Sequence, residues 1–190
     1  MFFEILTDFG NLAVLLPLVA VVTAWLIALR QTFVLWWWLV ALVLCMVSTA
    51  ILKVYFFICP PITDLHSPSG HTSLSVLVYG AVTLAVAAAA NGWRRAAVAA
   101  AGAFFIVGIA ISRVVVRAHS VPEVVLGLII GIAALMLFAR QFWRYRPSKL
   151  RLRPLLVVCV VLMVLLNGQD LRAEDLLHRI GIYLGSRVCL

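Results

Sequence analysis

Two histidines in this sequence stand in company that suggests chemistry. His71 lies in the run Ser67-Pro68-Ser69-Gly70-His71-Thr72, and His119 lies between Ser112-Arg113 and Glu123, with five residues separating it from the arginine and three from the acid. Ser67 is a good helix N-cap and Pro68 a good first helical residue. That placement puts Ser69 and Gly70 in a first turn, where backbone N–H groups and the helix dipole bind an anion such as phosphate. Lys53 and Arg113 add a point charge and a planar fork of donors. One imidazole can attack phosphorus while the other protonates a leaving oxygen. A carboxylate beside the attacking imidazole fixes its tautomer and stabilises its cationic form. No carboxylate cluster that could hold a divalent ion accompanies these groups, so the expected chemistry uses neither metal nor cofactor.

Simpler explanations exist for each residue alone. Ser120-Val121-Pro122-Glu123 matches a capping box. Lys53, Arg113 and Arg117 can snorkel from helix ends to the interface, and Ser67, Ser69 and Thr72 can act as caps. The joint arrangement is harder to attribute to structure alone, because the topology puts all of these residues on one face of a membrane.

That topology follows from composition. Of 190 residues 65% are apolar and 12% charged, with a mean hydropathy of 1.15, too few polar groups to cover a soluble core. Uncharged stretches run over 9–29, 31–52, 72–93, 96–112, 124–139 and 154–169. A helix needs about 20 residues to cross ~30 Å of hydrocarbon. The first three stretches are comfortable spans, and the last three are short ones aided by flanking basic residues. Since lipid offers no hydrogen bonds to a backbone, the expected fold is all-α, a bundle of six transmembrane helices in one domain over residues 1–190. Trp36, Trp37 and Trp38 suggest an interfacial anchor. The alanine-rich runs at 85–90 and 96–101 suggest close helix packing.

Threading six spans gives one face Arg30, Arg94, Arg95, Arg140, Arg144, Arg146, Lys149, Arg151 and Arg153, with no acid. The other face receives every acid, every histidine, and Lys53, Arg113, Arg117, Arg172, Arg179 and Arg187. The positive-inside rule makes the first face cytoplasmic and turns His71 and His119 outward. The net charge of +8 therefore reflects topology rather than a nucleic-acid partner. Glu4 and Asp8 precede the first apolar run, so no cleaved signal peptide is expected. The segment 170–190 has apolar residues near helical spacing and reads as an amphipathic tail on the outer interface. Cys59 and Cys189 could pair across that face.

Pro68-Ser69-Gly70-His71 followed by Ser112-Arg113, His119 and Glu123 resembles the second and third motifs of the type 2 phosphatidic acid phosphatase superfamily, whose members dephosphorylate membrane lipids without metal. The resemblance implies that His119 is the nucleophile, Glu123 its partner and His71 the general acid. It also implies that Lys53, Ser69, Gly70 and Arg113 bind phosphate. Two departures are visible: Glu123 stands where the pattern has Asp, and Lys53 is followed after six residues by Pro60-Pro61 where the pattern has Arg-Pro. Arg117, four residues after Arg113, is the candidate to replace the missing cation. The substrate implied is a lipid phosphate or pyrophosphate at the outer leaflet of a bacterial inner membrane. Undecaprenyl pyrophosphate, phosphatidylglycerophosphate and lipid A phosphates all fit. A lipid-to-lipid phosphotransferase and a non-catalytic lipid-binding descendant remain open alternatives, and the sequence gives no oligomeric state.

Overall fold

The computed structural model describes residues 2–58, 67–145 and 150–169. The tail at 170–190, the Pro60-Pro61 pair, and Cys59 and Cys189 lie outside them. Among the described residues there are seven helices and no strand: α1 (Phe2–Asp8), α2 (Leu12–Ala28), α3 (Thr32–Ile58), α4 (Gly70–Ala89), α5 (Trp93–Val115), α6 (Val121–Arg144) and α7 (Leu152–Leu166). Four of them, α3 to α6, are long and apolar enough to cross a membrane, and α1 with α2 makes a fifth candidate bent by 42°.

The boundaries differ from the uncharged stretches for a physical reason. Charged residues sit inside helix ends, not beyond them: Arg94, Arg95 and Arg113 belong to α5, while Glu123, Arg140 and Arg144 belong to α6. The fourth and fifth stretches, expected to be short, are therefore helices of 23 and 24 residues. Lys53 likewise lies within α3, which continues to Ile58. Only α7 stays short, at 15 residues. Its ends are nevertheless tied far apart on the α1–α2 unit, where Trp25 Nε1 donates to Arg151 O at 3.0 Å and Asn167 Nδ2 donates to Ile5 O at 3.3 Å.

The bundle is built around α4, which packs against α2, α3, α5 and α6 and buries most of its length. Trp38 is fully buried there, not interfacial as expected. Its indole donates to Thr23 Oγ1 at 2.9 Å and meets the Phe138 ring edge-on at 5.3 Å. Trp36 does face outward. The alanine runs also separate. Ala85, Ala87 and Ala88 are buried in α4, whereas Ala96, Ala97, Ala99, Ala100 and Ala101 of α5 are exposed. The residues expected to pack α5 thus face outward.

Two glycines let α6 approach the backbone of α4 closely. Gly127 and Gly131, one turn apart on α6, lie directly on α4. A Cβ at Gly127 would stand 2.5 Å from Ser69 O, and one at Gly131 would stand 2.6 Å from Ser73 O. Both obstacles are backbone atoms, so only a shift of one helix relieves them. Gly127→Ala is expected to cost about 1–3 kcal/mol through overpacking and to lower activity further, because it separates His119 and Glu123 from the start of α4. Thermal unfolding and turnover measured together check this.

Candidate active site

Each proposed catalytic group is delivered by a helix end or by the turn beside one. Ser69, not Ser67, caps α4: its backbone is extended (φ −71°, ψ 102°), and its hydroxyl accepts from Thr72 N at 3.4 Å and from Thr72 Oγ1 at 2.9 Å. The N-cap expected at Ser67 is thus displaced by two residues. Ser67 is instead tied to α6 through its backbone, its N donating to Glu123 Oε1 at 2.8 Å. Pro68 and Ser69 are buried behind it. The helix then opens on Gly70, whose amide falls in the first turn, beyond the reach of the helix's own ladder, with buried His71 next to it. A Cβ on Gly70 would come within 3.9 Å of Lys53 Cε, so the lysine stem of α3 runs beside this turn.

Glu123 joins the two motifs. Its Oε2 accepts from Ser120 N at 3.0 Å and lies 2.9 Å from His119 Nδ1. Its Oε1 takes the Ser67 amide, and its carbonyl takes Ser69 N at 3.0 Å. The capping-box explanation is therefore also correct, for Glu123 does cap α6 while it holds the histidine. A carboxylate only accepts, so Nδ1 carries the proton and Nε2 keeps its lone pair.

The electrostatics agree with that tautomer. Burial pushes the His119 imidazole below its ordinary value, and the Arg113 and Lys53 charges push the same way, while the hydrogen bond and charge of Glu123 oppose them. His119 is thus neutral at physiological pH, with the Nε2 lone pair unprotonated, and both cations stand within electrostatic reach of it. Arg113 is half-buried, with Nη1 donating to Thr7 Oγ1 at 3.1 Å.

Arg117 does not extend the face of α5 that carries Arg113, as its spacing suggested. The helix stops at Val115, and Arg117 is an exposed residue in the left-handed region at φ 57°. Thr7, on a helix remote in sequence, was not recognised from the sequence, and no spacing could have connected it to Arg113 across 106 positions. Among the described residues no three His, Cys, Asp or Glu side chains group as metal ligands would.

The geometry can therefore support attack by an oriented neutral imidazole, next to a helix N-terminus flanked by a lysine stem. A family model described as the PAP2 superfamily matches residues 34–147, more than half of the chain, and the match contains every residue from Lys53 to Glu123. No curated protein and no solved structure matches the chain.

Proposed function

The chain belongs to the PAP2 superfamily, and from that premise we propose that it is a metal-independent phosphatase acting on a lipid phosphate or pyrophosphate. Superfamily members are phosphatases of phosphate esters, and the apolar helices make this one a membrane protein. The lipid specificity, the residue roles and the topology are our reading.

In that reading His119 Nε2 attacks the phosphorus and the bond from phosphorus to the lipid oxygen breaks. His71 gives that oxygen a proton, leaving a phosphohistidine. Water, deprotonated by His71, then attacks the phosphohistidine, which frees His119 and releases inorganic phosphate. Lys53, Arg113 and the first-turn amide at Gly70 hold the equatorial oxygens as charge builds on them. Ser69, whose own amide is taken by Glu123 O, caps and fixes that turn instead of donating its amide to phosphate as expected. Arg117, exposed beside the site, approaches the headgroup from outside. The observation that carries the proposal is Glu123, which grips His119 Nδ1 with one oxygen and the Ser67 amide with the other.

The reading takes residues 1–190 as one domain with six crossings, α7 being the sixth. Its ties to Trp25 near one end of the α1–α2 unit and to Ile5 near the other support this. The basic residues Arg30, Arg94, Arg95, Arg140, Arg144 and Arg151 belong to the end of the bundle opposite the site. The positive-inside rule then turns the site to the periplasm of a bacterial inner membrane. In a background with the four native cysteines replaced, a cysteine at exposed Ala118 should label with an impermeant maleimide in intact cells, and one at exposed Trp93 should not. The reverse pattern would place the site in the cytoplasm.

Purified protein should release phosphate in EDTA from at least one of undecaprenyl pyrophosphate, phosphatidylglycerophosphate or lipid A phosphate. Turnover that EDTA abolishes and magnesium restores would contradict the mechanism. Release only when an acceptor lipid is present would make the protein a phosphotransferase.

A further inference from the structure

We propose that Thr7, on the short helix α1, is a positioning residue for the phosphate-binding arginine, so that the active site includes an element outside the matched family core. The match begins at residue 34, whereas α1 and α2 precede it. Arg113 nevertheless donates through Nη1 to Thr7 Oγ1 at 3.1 Å. A guanidinium is planar and rigid, so holding one nitrogen fixes the plane in which the others donate.

For this contact to orient Arg113, α1 must itself be held in place, and it is secured on several sides. Tyr79 of α4 donates its hydroxyl to Phe9 O at 2.6 Å. The Phe9 ring lies 5.8 Å from Phe105, which meets Tyr79 edge-on at 5.0 Å. At the bend, Gly10 is buried so tightly that a Cβ would stand 2.9 Å from Ile109 Cγ2, one turn below Arg113 on α5. Asn11 then restarts the chain as α2, its side chain accepting from Ala13 N at 3.1 Å. From the other side, Asn167 after α7 donates to Ile5 O. The bend is thus a built corner that presents Thr7 to Arg113. It also bears on the departure from the family pattern at Pro60. With one cation fewer than the pattern supplies, the stabilisation of the transferring group depends more on how well Arg113 is aimed.

The inference rests on the phosphatase reading, and its test separates the two. Turnover of the best lipid substrate and orthovanadate affinity, read by thermal shift, are measured for wild type, Thr7→Val, Thr7→Ser, Arg113→Lys and the double variant Thr7→Val/Arg113→Lys. Thr7→Val should lower kcat about tenfold with KM within about twofold, and weaken vanadate by a similar factor. Thr7→Ser should retain wild-type values, and Thr7→Val should cost little more in the Arg113→Lys background. Wild-type behaviour of Thr7→Val, equal losses in both arginine backgrounds, or failure of Thr7→Ser to retain activity would overturn the inference while phosphatase activity stood. Vanadate binding that depends on Thr7 without turnover would keep the inference and reject hydrolysis. Absence of both vanadate binding and turnover in wild type would reject both.

Discussion

Replacing His119 by alanine should lower turnover by about 10⁴-fold or more while leaving the protein folded. The size follows from the role: a covalent nucleophile and the groups that serve it act as a unit, and its loss leaves only binding and charge stabilisation. Folding should survive because Glu123 keeps two of its donors, the amides of Ser67 and Ser120. The lost hydrogen bond costs about 1 kcal/mol. Phosphate release and detergent size-exclusion profiles of the same preparation check both halves. His71→Ala should differ in kind. Its loss should be small for a substrate with a good leaving group and large for a poor one, because the proton it supplies matters less when the departing oxygen is already stable.

Glu123→Gln carries the second large effect. The amide has one acceptor oxygen where the carboxylate uses two, so either the Ser67 amide or the His119 and Ser120 pair meets an NH₂ instead of an oxygen. We expect a kcat loss of about 10³-fold or more, by analogy with a triad carboxylate replaced by its amide. The pH profile identifies the cause. The neutral imidazole is the active form, and burial with two nearby cations holds its proton affinity below normal. The acid limb of kcat/KM should therefore lie below the ordinary imidazole value of about 6.5. Glu123 raises that affinity, so Glu123→Gln should move the limb further to the acid side as kcat falls. The same sign governs stability. The unfolded chain binds this proton more tightly than the folded one, so the contribution of His119 is lost as pH drops below about 6.5. A limb that moved towards neutral in Glu123→Gln would contradict the pairing. Glu123→Asp tests the departure from the family pattern. A carboxylate shorter by one methylene cannot keep both His119 Nδ1 and the Ser67 amide, so partial activity with a loosened α4 start is expected.

The pairing of His119 with Glu123 was legible in the sequence because both its requirements are local. The residues lie four apart, and a serine N-cap places the acid in the first turn. The gathering of Lys53 beside Gly70 was legible only through topology, since spans that alternate direction return their ends to one face. The N-cap at Ser67 misled because capping propensity does not fix where a helix starts: Glu123 accepts from the Ser67 amide with its carboxylate and from the Ser69 amide with its carbonyl, and α4 begins two residues later than expected. Arg117 misled in a similar way: four-residue spacing means one face only while the helix lasts, and α5 ends two residues earlier. Gly127 and Gly131 form a small-residue stripe at helical spacing, and composition alone does not distinguish such a stripe from the alanine run of α5, which faces outward. Nothing local marks Thr7, whose partner is set by the packing of a corner.

The most direct test is to trap the covalent intermediate. Wild-type protein turning over a substrate radiolabelled in its phosphate, in EDTA, should be quenched within the turnover time and digested, and the labelled peptide sequenced by mass spectrometry. The account predicts an acid-labile, base-stable phosphate on His119, absent from His119→Ala and accumulating when hydrolysis is slowed. Label on another residue, or steady turnover with no phosphoprotein at any quench time, would contradict it.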